Sequence, residues 1–187
     1  MKELYVSIDV ETDGPIPAVN SMLSLGAAAF TLDDGCVGTW SSNLHVLPEA
    51  ETNADTMKWW EGQPAAWAAC RENLTQPLNA MKEFVDWVDD TAKAEGKKPV
   101  CVAYPAGFDF MFVYWYMIKF AGRSPFSFSC LDIKSYVSAV LKKPFRQSTK
   151  RNMPKRWFSG RRHTHLAVDD ALEQGELFMN ILKENLK

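Results

Sequence analysis

Hydrophobic and polar positions alternate at the start of the chain. Leu4, Val6, Ile8 and Val10 fall on one side and Tyr5, Ser7, Asp9 and Glu11 on the other, the period of two that a strand over Leu4 to Glu11 requires. Further strands are expected at Met22 to Thr31 and Val37 to Val46, separated by the turn signal Asp33-Asp34-Gly35, so the opening reads as a three-stranded meander. The period then lengthens. Asp55 to Glu72 is helical, divided by Gly62 and Pro64, and its tryptophans, Trp59, Trp60 and Trp67, recur at helical spacing and are expected in the core. Leu78, Met81, Phe84, Val85 and Val88 stripe a longer helix from about Pro77 to Ala94, which Gly96-Lys97-Lys98-Pro99 ends. Val100 to Tyr104 is a short apolar strand, and Phe110 to Lys119 a helix apolar nearly all round, hence buried. Ser127 to Leu131 is a fifth strand, after which Asp132 can cap a helix through Leu141. The last helix, about Leu166 to Glu184, carries Val168, Ala171, Leu172, Phe178 and Leu182 on its apolar stripe. The order βββ, α, β, α, β, α predicts an α/β class: a mixed sheet flanked by helices.

The length of 187 residues suits one compact domain spanning 1–187. A formal net charge of −2 excludes a generic attraction to polyanions, so any nucleic-acid site must be local. Cys36, Cys70, Cys101 and Cys130 are widely spaced with no C-x-x-C pair, which reads as reduced, structural thiols. The first residues run directly into a strand, without the pattern of a secretion signal. The most apolar stretch, Phe108 to Phe120, is shorter than the about 20 residues of a membrane span and carries Asp109 and Lys119. A cytoplasmic protein with no membrane partner is the expectation.

Composition changes at Lys142 to Arg162, which holds nine basic residues and no acidic one. It reads as a long basic loop. Lys150, Arg151, Lys155 and Arg156 are its candidate phosphate contacts, interleaved with Phe145, Trp157 and Phe158 as a single-strand site would require. A solvated flexible loop is the alternative.

Asp9 and Glu11 share one face of an otherwise apolar strand, where two adjacent carboxylates repel and call for a compensating cation or for solvent. Asp109 stands between a short strand and a buried helix, where it serves either as an N-cap or as a ligand near a strand's C-terminal end. Helical phase separates Asp169 from Asp170. Asp169 falls with Glu173 and Glu176 on the polar face, whereas Asp170 falls with Leu177 and Ile181 beside the apolar stripe and is the inward carboxylate. Asp9, Glu11, Asp109 and Asp170 are all oxygen donors, which suits Mg²⁺ or Mn²⁺ and disfavours zinc. Such a set can hold two divalent ions for phosphodiester hydrolysis. His165, just before the helix of Asp170, is the candidate general base; His163 is a competitor for that role or a phosphate contact, and His45 a surface or structural residue.

Together these segments resemble the DEDDh family of 3′→5′ exonucleases. Asp9-Val10-Glu11 is similar to its first motif, Gly107-Phe108-Asp109 to its second, and His165 with Asp170 five residues on to its third; Trp59-Trp60 is similar to a pair in stand-alone exoribonuclease-like members. Pro105, four before Asp109, stands where many relatives carry Asn. The resemblance implies a ribonuclease-H-like fold, two Mg²⁺ or Mn²⁺ ions, His165 as general base and release of nucleoside 5′-monophosphates from a single-stranded RNA or DNA 3′ end, with a lean toward RNA. It also implies that Val10, Thr12 and the loop from Gly14 to Asn20 border the terminal nucleotide. A catalytically silent nucleic-acid-binding or proofreading-like accessory module of the same fold is the alternative, and a ribonuclease-H-like endonuclease a third reading. Oligomeric state is left open, a homodimer included.

Overall fold

The structure, a computed structural model, describes residues 2–187. Five strands, β1 (Glu3–Thr12), β2 (Met22–Thr31), β3 (Gly35–Asn43), β4 (Lys98–Ala103) and β5 (Cys130–Asp132), form one sheet in the order β3-β2-β1-β4-β5. The meander β1-β2-β3 is antiparallel, and β4 and β5 add in parallel beside β1. Six α-helices flank it: α1 (Ala54–Glu61), α2 (Pro64–Cys70), α3 (Pro77–Glu95), α4 (Ala106–Tyr116), α5 (Ile133–Leu141) and α6 (Ala167–Asn185). The mixed sheet expected from the element order is present.

The alternation in β1 divides the core in two. Leu4, Val6, Ile8 and Val10 pack with Met81, Phe84, Val85 and Val88 of α3 and with Phe112 and Tyr116 of α4. Tyr5 on the opposite face packs with Ala28, Phe30 and the α6 residues Leu177, Phe178 and Ile181. Asp9 and Glu11 have the parity of Tyr5, so period two directs them to the face that α6 covers. All ten residues of β2 are buried, as a central strand covered on both faces should be.

Two glycines let α6 approach closely. Gly26, the register partner of Asp9, lies so near the first turn of α6 that a Cβ there would sit 2.1 Å from the Ala167 carbonyl carbon. A Cβ on Gly175 would meet Phe30 at 2.2 Å. Any side chain at either place would push α6 off the sheet.

Several boundaries differ from the expected ones. β3 stops at Asn43, not Val46, because Leu44 leaves the ladder and bridges to Thr75. α4 begins at Ala106, four residues early, so Asp109 lies inside its first turn and caps nothing; Pro105 occupies the N-cap after a cis peptide bond. The helix is also less buried than its composition implies, since Met111 and Ile118 reach solvent. It runs on through a π-helical turn at Met117–Ala121. β5 is three residues long and later than expected, although Asp132 does cap α5, accepting the Ser135 N–H at 2.6 Å.

The basic segment is not a solvated loop. It forms three short 3-10 turns that lie along α6, with Met153 and Trp157 buried in the second core. Trp157 donates its indole N–H to Glu184, and its carbonyl accepts from Asn180. This strap also explains why Glu173, placed on the polar face by helical phase, is buried. Among the described residues, no helix is long and apolar enough to cross a membrane.

Candidate active site

The site forms where β1 outruns its neighbour. Pairing with β4 stops at Ser7–Val102, so the next backbone groups on that edge of β1 need other partners. Side chains supply them. Gln174 of α6 donates to the Ile8 carbonyl at 2.5 Å, and the Val10 N–H donates to Oδ1 of Asp109 at 3.2 Å. Two elements distant in sequence are thereby tied to the strand on either side of Asp9.

Asp9, Glu11 and Asp170 each offer a carboxylate oxygen, all within 4.8 Å of one another. Asp109 stands beside this trio, engaged with the Val10 amide and close enough for its charge to raise Asp9 and Glu11. Burial, with Asp109, Glu11 and Asp170 adding repulsion, pushes Asp9 well above the usual carboxylate range, and Lys150 offsets only part of that. Burial and the charges of Asp170 and Asp109 raise Glu11 to about 8. Burial raises Asp109 to about 7 against the favourable Val10 hydrogen bond. Three carboxyls whose ionised forms are held at such cost, with Asp170 as a fourth oxygen donor beside them, fit a hard divalent cation, the charge that would lower the raised three together.

Asp170 behaves differently. Burial at 1% exposure opposes its charge, but hydrogen bonds outweigh it and hold the carboxyl below its usual range. The Thr164 N–H donates to Oδ1 and the His165 N–H to Oδ2, both at 2.9 Å, and His163 Nδ1 lies 3.1 Å from Oδ1. Asp169 is half-buried and meets the Thr164 hydroxyl at 3.3 Å, outside the acidic trio, as helical phase requires. His165 sits at φ 58°, a left-handed conformation that few non-glycine residues adopt. Its ring meets Trp59 edge-on with centroids 5.0 Å apart and lies 4.5 Å from the ring of His163. Burial and the neighbouring His163 lower its pKa, with Asp170 opposing.

Cavities open on two sides of the acidic cluster. One, of about 240 Å³, is lined by Val10, Glu11, Thr12, Gly14, Pro15, Thr56, Trp59 and Phe108. It brings Val10, Thr12 and the start of the Gly14 loop beside Glu11 of the acidic trio. The other, of about 430 Å³, touches Asp9, Tyr104, Pro105, Lys150, His163 and Asp170. Of the four basic candidates only Lys150 lines it, held by an ion pair with Glu173. Arg156 instead pairs with Glu184 far along α6, and Arg151 and Lys155 lie exposed on the strap.

The tryptophan expectation needs correction. Trp60 is core, 2% exposed, with its indole N–H on the Thr12 carbonyl at 2.9 Å, and Trp67 packs beside it. Trp59 is 43% exposed and faces His165 and the smaller cavity. Adjacent helical residues point about 100° apart, and α1 turns Trp60 into the core and Trp59 toward the site. That spacing was the available signal for Trp59. Gln174 and Glu173 carried no comparable signal.

A family model described as the 3′-5′ exoribonuclease Rv2179c-like domain matches residues 4–182. The chain belongs to this Rv2179c-like family. It is 32% identical over 189 residues to the 3′-5′ DNA exonuclease Cap18 of Escherichia coli, covering 97% of this chain and 93% of that relative. Its fold is similar to that of the nuclease domain of 3′hExo, a DEDDh family member bound to rAMP, with a TM-score of 0.71 at 12% identity over 97% of this chain and 92% of the other. It is also similar to S. pombe Pop2p in its Mg²⁺- and Mn²⁺-bound form, with a TM-score of 0.67 at 14% identity over 97% and 84%. The Rv2179c-like chain is therefore a 3′-5′ exonuclease, and so a nuclease, with a fold similar to that of DEDDh exonucleases.

Proposed function

We propose that this enzyme removes nucleotides from the 3′ end of single-stranded nucleic acid, RNA ahead of DNA, by a two-metal mechanism that releases nucleoside 5′-monophosphates. The observation that carries the reading is the convergence of Asp9, Glu11 and Asp170 within 4.8 Å, with the His165 ring beside them. Asp9, Glu11, Asp109 and Asp170 would hold two Mg²⁺ or Mn²⁺ ions, which neutralise phosphate charge and make water acidic enough to attack near neutral pH.

The chain's own residues supply the rest. His165 is the general base. Burial and His163 keep its ring neutral near pH 7, so a ring nitrogen is free to take a proton from water. Asp170 fixes that residue by accepting its backbone N–H. Asp109 holds Val10, which with Thr12 and Trp59 walls the cavity assigned here to the terminal nucleotide. Lys150 is the cation assigned to the neighbouring phosphate, and Arg151 and Lys155 extend positive charge along the approach.

The description of the family as exoribonucleases supports RNA, and the relative described as a DNA exonuclease supports DNA as the second reading. Matched single-stranded RNA and DNA oligonucleotides, digested side by side with Mn²⁺ and resolved by chromatography, test both points. The account expects 5′-monophosphates with a higher kcat/KM on RNA. Faster DNA hydrolysis would reverse the preference, and 3′-monophosphates would remove the proposed mechanism.

A further inference from the structure

The sequence places a second histidine, His163, two residues before His165, and the structure brings both rings onto one carboxylate. Ligand atoms of His163, His165 and Asp170 all lie within 4.8 Å of one another, with His163 Nδ1 already 3.1 Å from Asp170 Oδ1. Two imidazoles and a carboxylate form a donor set of different character from the all-oxygen trio of Asp9, Glu11 and Asp170. Hard ions prefer the oxygen trio, whereas imidazole suits zinc and other late first-row metals.

The geometry is close to what zinc needs. Tetrahedral Zn²⁺ with bonds of about 2.0–2.2 Å sets its donors about 3.4 Å apart, so from the 4.8 Å limit a contraction of at most about 1.4 Å at the widest pair completes the site. The two rings stand at 82° with centroids 4.5 Å apart, an arrangement without stacking that leaves nitrogens free to converge. His165 is confined by its left-handed backbone and by the edge contact with Trp59, and the Asp170 carboxylate by the Thr164 and His165 amides. His163, at 52% side-chain exposure, leaves an open path for an ion.

We infer that His163, His165 and Asp170 form a Zn²⁺ site that competes with the catalytic ions and switches the enzyme off. Three protein ligands leave the fourth position to water. Occupancy draws on the Asp170 carboxylate that the oxygen trio also uses, sets a further cation against the catalytic ions, and ties up the ring nitrogen of His165. The binding site stands on geometry alone; the inhibitory consequence rests on the catalytic roles proposed above for Asp170 and His165.

The test titrates Zn²⁺ and Mn²⁺ separately into the metal-free full-length chain by calorimetry, comparing wild type, His163→Ala and Asp9→Asn. His163→Ala should weaken Zn²⁺ binding at least tenfold and change Mn²⁺ binding less than threefold, and Asp9→Asn should do the reverse. His163→Cys should restore Zn²⁺ affinity and give a thiolate-to-metal charge-transfer band with Co²⁺. In Mn²⁺-supported hydrolysis, the Zn²⁺ concentration for half inhibition should rise at least tenfold in His163→Ala. Unchanged Zn²⁺ affinity in His163→Ala, equal losses in the two variants, or no thiolate band overturns the site. A wild type inactive with Mn²⁺ would count against the catalytic reading, while the titrations still decide the zinc site.

Discussion

The backbone N–H of His165 donates to Oδ2 of Asp170 at 2.9 Å, so the proposed base and the innermost carboxylate of the third motif form one rigid unit. The bond links a residue in a left-handed conformation to the first turn of α6, which rests on the sheet over Gly26. A change at Asp170 therefore removes a proposed metal ligand and the acceptor of the His165 N–H together.

Asp170→Ala should abolish turnover, and Asp169→Ala should retain most of it, since the hydroxyl of Thr164 is the one hydrogen-bond partner found for the Asp169 side chain among the described residues. Single-turnover rates with Mn²⁺ decide the matter, and equal losses would show that both carboxylates serve the reaction.

His165→Ala should lower kcat by about 10²–10⁴-fold, the usual worth of a general base. The imidazole must be neutral to act, and its pKa lies below the ordinary 6.5. The acidic limb of the kcat–pH profile should therefore fall below 6.5 in the wild type and vanish in the variant. A limb that persists unchanged would assign the proton transfer to another group.

Without metal, stability should fall as pH rises from 6.5 to 8.5. Glu11 and Asp109 carry folded-state values of about 8 and 7, above their ordinary 4.5 and 3.8, so in this window the folded chain holds more protons than the unfolded one. Stability then declines with pH. Asp170 is depressed, so its contribution changes below this window; lowered His165 works the other way just above pH 6.5, by at most about 0.4 kcal/mol, and leaves the sign set by the two carboxyls. Thermal melts in chelator should show a lower Tm at pH 8.5, and added Mn²⁺ should raise Tm more at pH 8.5 than at pH 6.5. A flat or rising Tm in chelator would mean that the carboxylates do not repel as described.

The basic strap should divide by residue. Lys150→Gln should raise KM on an oligonucleotide and flatten the salt dependence of binding by about 0.7 in logarithmic slope, one phosphate contact on a single strand. Arg156→Gln should leave both near wild type, because its partner Glu184 lies near the C-terminal end of α6, away from both cavities. Measured KM values at several salt concentrations check this, and equal effects would make the strap a diffuse electrostatic surface.

Much of this was legible in residue spacing. Period two in β1 put Asp9 and Glu11 on one face, and helical phase singled out Asp170 over Asp169. What escaped depended on contacts between distant segments. Nothing local marks Gln174 as the partner of the Ile8 carbonyl, because the need arises only where β4 stops short of β1. Charge density made Lys142 to Arg162 read as a loop, yet Met153 and Trp157 bury against a helix that follows them. Asp109 reads as a possible cap when α4 starts at Phe110, but the helix includes Gly107.

A single-stranded oligonucleotide labelled at either end, incubated with the chain in Mn²⁺ and in excess chelator, decides whether a metal-dependent 3′→5′ exonuclease is at work. Mononucleotide release from the 3′ label, a one-nucleotide ladder from the 5′ label and no product in chelator are expected. Internal cuts, retention without cleavage, or hydrolysis that persists in chelator would contradict it.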